Sequence, residues 1–223
     1  SPHEPDNLNP VSSPSVWGWK WMRMYYDKLV RLSPDIEPIP WMAESIEAVD
    51  DTTVDVVLTD GLLWHDGEAV TVEDVKFTYD YYADQDYAYF NAFLAQIESV
   101  EVTGENTVRF NLSEPFAPLV TVTFSQIPIL PEHIWSGIEN AGDLTPANTP
   151  TVGSGPFVYD RYDRGEFMRL VKFEDHFMAD EIDIDAIELT VYADAEGVFT
   201  GLLTGEIDFT AWRLEPGPIP LAE

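Results

Sequence analysis

The sequence predicts a mixed α/β fold, and three observations carry that prediction. Residues 52–58 are rich in β-branched side chains, and Val108, Phe110 and Leu112 alternate with polar neighbours, the period of a half-buried strand. Val72, Val75, Tyr79 and Tyr82 recur at three- and four-residue steps, which makes one apolar helix face. Residues 186–192, 195–203 and 207–211 read as strand, helix and strand, the order of a parallel β-α-β unit.

The remaining elements follow along the chain. Residues 1–16 are rich in Pro, Ser and Asn and read as extended. Trp17, Trp19 and Trp21 alternate as in a strand. Yet Trp17, Trp21, Met24 and Lys28 also fit helical spacing with Ser15 as a cap, and periodicity leaves both readings open. Residues 29–32 form a short apolar piece, and residues 33–40, with three prolines, read as a loop. Residues 41–49 are short and mixed. Asp60-Gly61 and Asp66-Gly67 predict tight turns, Thr71 with Asp74 a capping box, and the helix that follows runs to about residue 83. Asp84-Gln85-Asp86 breaks it, and residues 87–96 read as a second, aromatic helix. Residues 97–102 and 107–112 flank Thr103-Gly104-Glu105-Asn106 and predict a β-hairpin. Residues 115–124 read as a short helix opened by its proline, and residues 132–135 as another. Residues 142–150 are a polar loop. Gly153-Ser154-Gly155-Pro156 leads into a strand at 157–161, which Arg164-Gly165 turns back into 166–173. Gly205 closes the last helix, and no internal repeat is visible.

Composition narrows the function classes. Among 223 residues, 41 are acidic and 11 are Lys or Arg, a formal charge of −30. That balance excludes the electrostatic footprint of a nucleic-acid binder and disfavours an anionic membrane surface. Like charge on this scale repels itself at low salt, whereas the Debye length falls to about 3 Å at 1 M. With only four Lys, and acids split almost evenly between Asp and Glu, the sequence reads as a halophile's protein. Hydrophobic residues make up 45% and aromatics 13%, enough for a core. No apolar run approaches the roughly 18 residues of a membrane span. The first residues lack a signal peptide's basic and apolar regions, so any such peptide is expected to be gone. The absence of cysteine removes disulfides, thiolate catalysis and Cys-based metal sites.

No motif declares a catalytic or metal centre, so no cofactor is expected. His65, between Trp64 and Asp66, invites a metal or acid–base reading. However, the four His (His3, His65, His133 and His176) lie in separate motifs without ligand spacing. His65 therefore reads as a turn residue, Trp64 as packing, and His133 as structural or surface. Asp180, Asp183 and Asp185 lack the glycine and terminal Glu of a calcium loop and read as a solvated acidic loop. Gly153-Ser154-Gly155 is a tight turn and not a nucleophile elbow. Asn111-Leu112-Ser113 matches a glycosylation sequon. The seven Trp, ten Tyr and twelve Phe suit either a core or a sugar- or peptide-binding groove.

Six motifs in order resemble the family-5 extracellular solute-binding proteins of ABC importers, the oligopeptide, dipeptide and nickel binders. They are Tyr26-Asp27-Lys28-Leu29-Val30; Trp41-Met42-Ala43-Glu44-Ser45; Trp64-His65-Asp66-Gly67 with Thr71 and Glu73-Asp74-Val75; Leu112-Ser113-Glu114-Pro115 with the segment from Pro128 to Trp135; Gly153-Ser154-Gly155-Pro156-Phe157; and Leu203-Thr204-Gly205-Glu206-Ile207-Asp208. The resemblance implies a periplasmic-binding-protein-like type II architecture of two lobes closing on a ligand. This chain would be a first-lobe fragment, the second lobe being absent. Residues 1–33 and 151–223 would share one incomplete mixed sheet, and residues 34–150 would form the inserted subdomain. Most family ligand contacts would lie on the absent lobe.

The resemblance also implies a site. Ser13, Ser15, Val16 and Trp17 would border the ligand, with backbone that pairs with an extended peptide. Tyr89 and Phe90 would approach from the inserted subdomain. Trp212 would sit at the carboxyl end of the last strand, where ligands of open α/β sheets gather, and would share one exposed surface with Ser13–Trp17. The implied function is capture of a peptide or similar small solute outside the cell and its delivery to the permease subunits of an ABC importer. The protein would be a monomer and not an enzyme, with a lipid anchor upstream of Ser1; alone it should bind peptides weakly or not at all. A nickel- or oligosaccharide-binding member is the variant reading. Rivals from other classes are a secreted glycoside hydrolase, which needs two carboxylates roughly 5–9.5 Å apart, and an inert surface-layer module.

Overall fold

The computed structural model describes residues 8–13, 15–145 and 147–210. Helix α1 is Val16–Tyr25, and the tryptophan ambiguity resolves in favour of helix. The Ser15 side chain caps it by accepting from Trp17 N–H at 3.2 Å. Gly18, Trp21, Met22 and Tyr25 are buried at three- and four-residue steps, so helical burial prevails over the alternation of the indoles. The Pro-rich residues 33–40, expected to be a loop, instead make a hairpin. Strands β1 (Val30–Leu32) and β2 (Pro38–Pro40) pair antiparallel around Ser33, whose hydroxyl accepts from Asp35 and Glu37 N–H. Proline is tolerated there because β2 is an exposed edge.

A four-stranded antiparallel sheet follows, in order β3 (Ala43–Ala48), β4 (Thr53–Leu58), β6 (Thr107–Leu112), β5 (Ile97–Val102). The predicted hairpin is β5–β6, with Val100 opposite Phe110 and Val102 opposite Val108. Val108, Phe110 and Leu112 are buried on one face. On that face lies α2 (Val72–Gln85), whose Tyr79 ring meets Phe110 edge-on at 4.8 Å. Thr71 and Asp74 form the expected capping box, and the helix ends at Asp86, left-handed at φ 54°. Helix α3 (Ala88–Leu94) and the short α4 (Glu132–Trp135) stand where predicted. Residues 115–124 do not form the expected α-helix; only Ala117–Leu119 make a 3-10 turn.

The last part is an antiparallel sheet of β7 (Phe157–Asp163), β8 (Phe167–Lys172) and β9 (Ala186–Thr190), followed by α5 (Ala195–Thr204). Gly165 makes the β7–β8 turn at φ 79°. Two expectations fail here. Among the described residues no parallel β-α-β unit forms: β9 pairs antiparallel with β8, and residues 207–210 are irregular. After Gly205 the N–H groups of Glu206 and Ile207 both return to Gly201 O, so the chain is tied to the end of α5 instead of extending. Nor, among the described residues, does a strand of 8–33 join the sheet of 151–210. The N-terminal segment contributes a helix, α1, packed against β7, and β1, which pairs with β2. One hydrophobic core runs from Leu8 to Leu189.

Candidate ligand-binding site

Several hydrogen bonds fix the segment before α1. Asn9 Nδ2 donates to Ala141 O at 2.7 Å, and its Oδ1 accepts from Val11 and Ser12 N–H. The hydroxyls of Tyr25 and Tyr82 donate to Leu8 O and Pro10 O. Trp19 Nε1 donates to Ser13 O at 3.0 Å, which folds Ser13 onto the first turn of α1. The result is a shallow pocket of about 180 Å³ lined by Ser13, Val16, Trp19, Lys20, Arg23 and Tyr89. Val16 and Tyr89 are exposed, at 57% and 51%. The Tyr89 ring lies 6.1 Å from Trp19, so α3 and α1 meet at this wall.

Thus Ser13, Val16 and Tyr89, expected to share a site, line one concavity. Phe90 does not line it. It is buried beneath, with its ring 5.5 Å from Trp19 and 4.5 Å from Tyr82, so it supports the wall. Ser15 caps the helix, and Trp17, half-buried, carries Lys20 Nζ over its ring at 5.0 Å. Trp212 lies outside the described residues, as does its expected shared surface with Ser13–Trp17. Ser13 N–H is bonded to Asn9 O, Ser15 N–H to Ser13 Oγ and Trp17 N–H to Ser15 Oγ, so these three backbone donors are engaged locally. Sequence reasoning missed Trp19, Lys20 and Arg23. With Ser15 as the cap, the spacing 16, 19, 20, 23 is one helix face, and that was the available signal.

The motif residues build a separate junction. His65 Nδ1 accepts from Gly153 N–H at 3.2 Å, and Nε2 stands 2.8 Å from Gly155 O, so Nε2 carries the proton. His65 N–H also donates to Gly153 O at 2.8 Å. Burial holds the imidazole below its usual pKa. On its other side the glycine loop lies on α1: Gly155 N–H donates to Tyr25 O, and a Cβ at Gly153 would lie 1.8 Å from that oxygen. His65 is therefore more than the turn residue expected. It is a clamp between distant segments. Trp64 is fully buried, as a packing residue should be. Its Nε1 lies 3.4 Å from Asp74 Oδ2, and Asp74 also accepts from Thr71 and Glu132 N–H. His133 pairs with Asp66 at 2.8 Å. Among the described residues no group of three or more His, Asp or Glu could hold a metal ion.

The bacterial extracellular solute-binding proteins, family 5 Middle, match residues 37–223, and the chain belongs to this family. It is 31% identical over 209 residues to a protein of Brucella ovis named as an ABC transporter peptide-binding protein, covering 92% of this chain and 39% of that one. The oligopeptide-binding protein AppA of Bacillus subtilis, solved with a nonapeptide, superposes with a TM-score of 0.82 at 25% identity, over 93% of this chain and 42% of that one. The ABC transporter substrate binding protein CtaP of Listeria monocytogenes gives 0.81 at 26%, over 93% and 42%. The chain thus spans about two fifths of the length of these relatives.

Proposed function

We propose that this chain is the first-lobe part of the substrate-binding component of an ABC importer. It captures a peptide or similar small solute outside the cell and delivers it to the permease in the membrane. The observation that supports this most is the convergence of Ser13 and Val16 with Tyr89, from distant parts of the chain, on one concave surface. Among the described residues no carboxylate lines that surface, whereas a glycoside hydrolase requires two. Residues 1–33 and 151–223 act as the lobe's base and residues 34–150 as its inserted subdomain. Ligand binding shifts an open–closed equilibrium, and closure buries the ligand between lobes. Among the described residues no helix is long and apolar enough to cross a membrane.

The test is calorimetry of the intact protein with defined peptides, after mass spectrometry of whatever co-purifies with it. Tyr89→Ala is expected to weaken binding about tenfold, the worth of one exposed aromatic contact. Affinity unchanged in both Tyr89→Ala and Val16→Lys would remove this surface from the site.

A further inference from the structure

We propose that a second concavity, between the α1–β1 junction and Ser125–Gln126, is a site for a small oxyanion held by Arg23, Lys28 and Arg31. The pocket measures about 290 Å³, and its lining includes those three cations with Asp27, Ser125 and Gln126. Three of the 11 Lys and Arg in a chain with 41 acids converge here. Like charges in one concavity repel, and low-dielectric walls strengthen the repulsion. The one carboxylate in the lining is already engaged. Asp27 is buried, its Oδ1 accepting from Arg31 Nη2 at 3.0 Å and its Oδ2 from His176 Nε2 at 2.9 Å. His176 Nδ1 accepts from Met178 N–H, so the Nε2–H is the donor to Asp27.

The cations are held in place, and the single carboxylate of Asp27, paired with Arg31, leaves the other two without a counter-charge in the pocket. Arg31 stacks on Trp41, its guanidinium carbon 3.7 Å from the ring centroid. Lys28 Nζ donates one bond, to Ser125 O at 2.7 Å, and has two more N–H groups to give. Arg23 is exposed and makes no ion pair among the described residues. With Lys28 protonated, three positive charges against one negative leave a surplus that a carboxylate, sulfate or phosphate group would balance through charge-assisted hydrogen bonds. The volume readily admits a group of that size.

Burial, then the neighbouring Arg23 and Arg31, push the Lys28 ammonium down to about 7. The charged groups around it are Arg23 on α1, Arg31 on β1, and Asp27 with His176 behind it; the facing segment brings only Ser125 and Gln126. A bound anion favours the ammonium form, so binding takes up a proton near neutrality and weakens as pH rises past that value.

The experiment is calorimetric titration of the protein with sodium sulfate and, separately, sodium acetate, near pH 6 and near pH 8.5 at fixed ionic strength. Both anions keep their charge across this range. The expected result is one saturable site near pH 6, weakened about fivefold or more near pH 8.5 as Lys28 deprotonates. Tighter sulfate assigns the site to dianionic oxyanions, and tighter acetate to carboxylates. Lys28→Met should weaken binding about tenfold and abolish the pH dependence, and Arg23→Gln, on the surface, should weaken it several-fold without changing the melting temperature. No saturable binding of either anion, or unchanged binding in Arg23→Gln, overturns the proposal even if Lys28→Met fails to fold.

Discussion

His65 accepts a hydrogen bond at one ring nitrogen and donates at the other, both to the glycine loop. Protonation of Nδ1 would set its N–H against the Gly153 N–H. Burial, opposed in part by the Gly155 hydrogen bond, keeps the ring's pKa below the ordinary value. The unfolded chain therefore binds this proton more readily, so stability falls as pH drops through about 6.5 towards the lowered folded value, and the contribution is fully present above it. Urea unfolding at pH 8 and pH 5 should show that loss in the wild type and not in His65→Ala. The variant itself should be less stable by about 2 kcal/mol at pH 8, because it orphans groups of the loop. The sequence presented His65 as a turn residue and did not show that it is a clamp. Its partner is 88 residues away, and nothing local encodes that contact.

At the scale of elements, local signals were legible where they were self-contained. The Thr71–Asp74 capping box, the β5–β6 hairpin and the Gly205 cap all depend on residues a few positions apart. Asp74 does more than its box requires, since Oδ1 also accepts the Glu132 N–H at the start of α4, 58 residues on. Asp74→Ala should therefore cost about 3 kcal/mol, more than a cap alone, while Thr71→Ala should cost about 1 kcal/mol; equal losses in denaturant melts would show that the α4 contact contributes nothing. Tertiary pairing was illegible. Alternating Trp17, Trp19 and Trp21 permitted a strand until packing chose the helix. The turn built on Ser33 converted a proline-rich stretch into a hairpin. The same limit applies to the candidate site, where the helix face of Val16, Trp19, Lys20 and Arg23 became visible only once α1 was fixed.

For the whole molecule, a formal charge of −30 dominates. Cross-strand pairs such as Arg109–Asp55 at 2.7 Å answer little of it, and partly exposed pairs contribute no more than about 1 kcal/mol each. The halophilic reading proposed from composition predicts a melting temperature that climbs with KCl. Equal stability at 0.1 M and 3 M would remove it. The family was legible because its motifs are the junction residues themselves: Tyr26-Asp27, Trp64-His65 and Gly153-Ser154-Gly155 lie far apart in sequence and touch in space.

That junction has a consequence for a broken chain. Ala147 and Asn148 lie exposed in the loop before it. A protease cut there would leave one piece ending short of the glycine loop and the other beginning with it. The Tyr26–Pro150, His65–Gly153, Tyr25–Gly155 and Asp27–His176 contacts all bridge the two pieces, as does the packing of α1 on β7. The nicked protein should run as one species in gel filtration and separate only in denaturant, and two separately expressed pieces should reassemble on mixing.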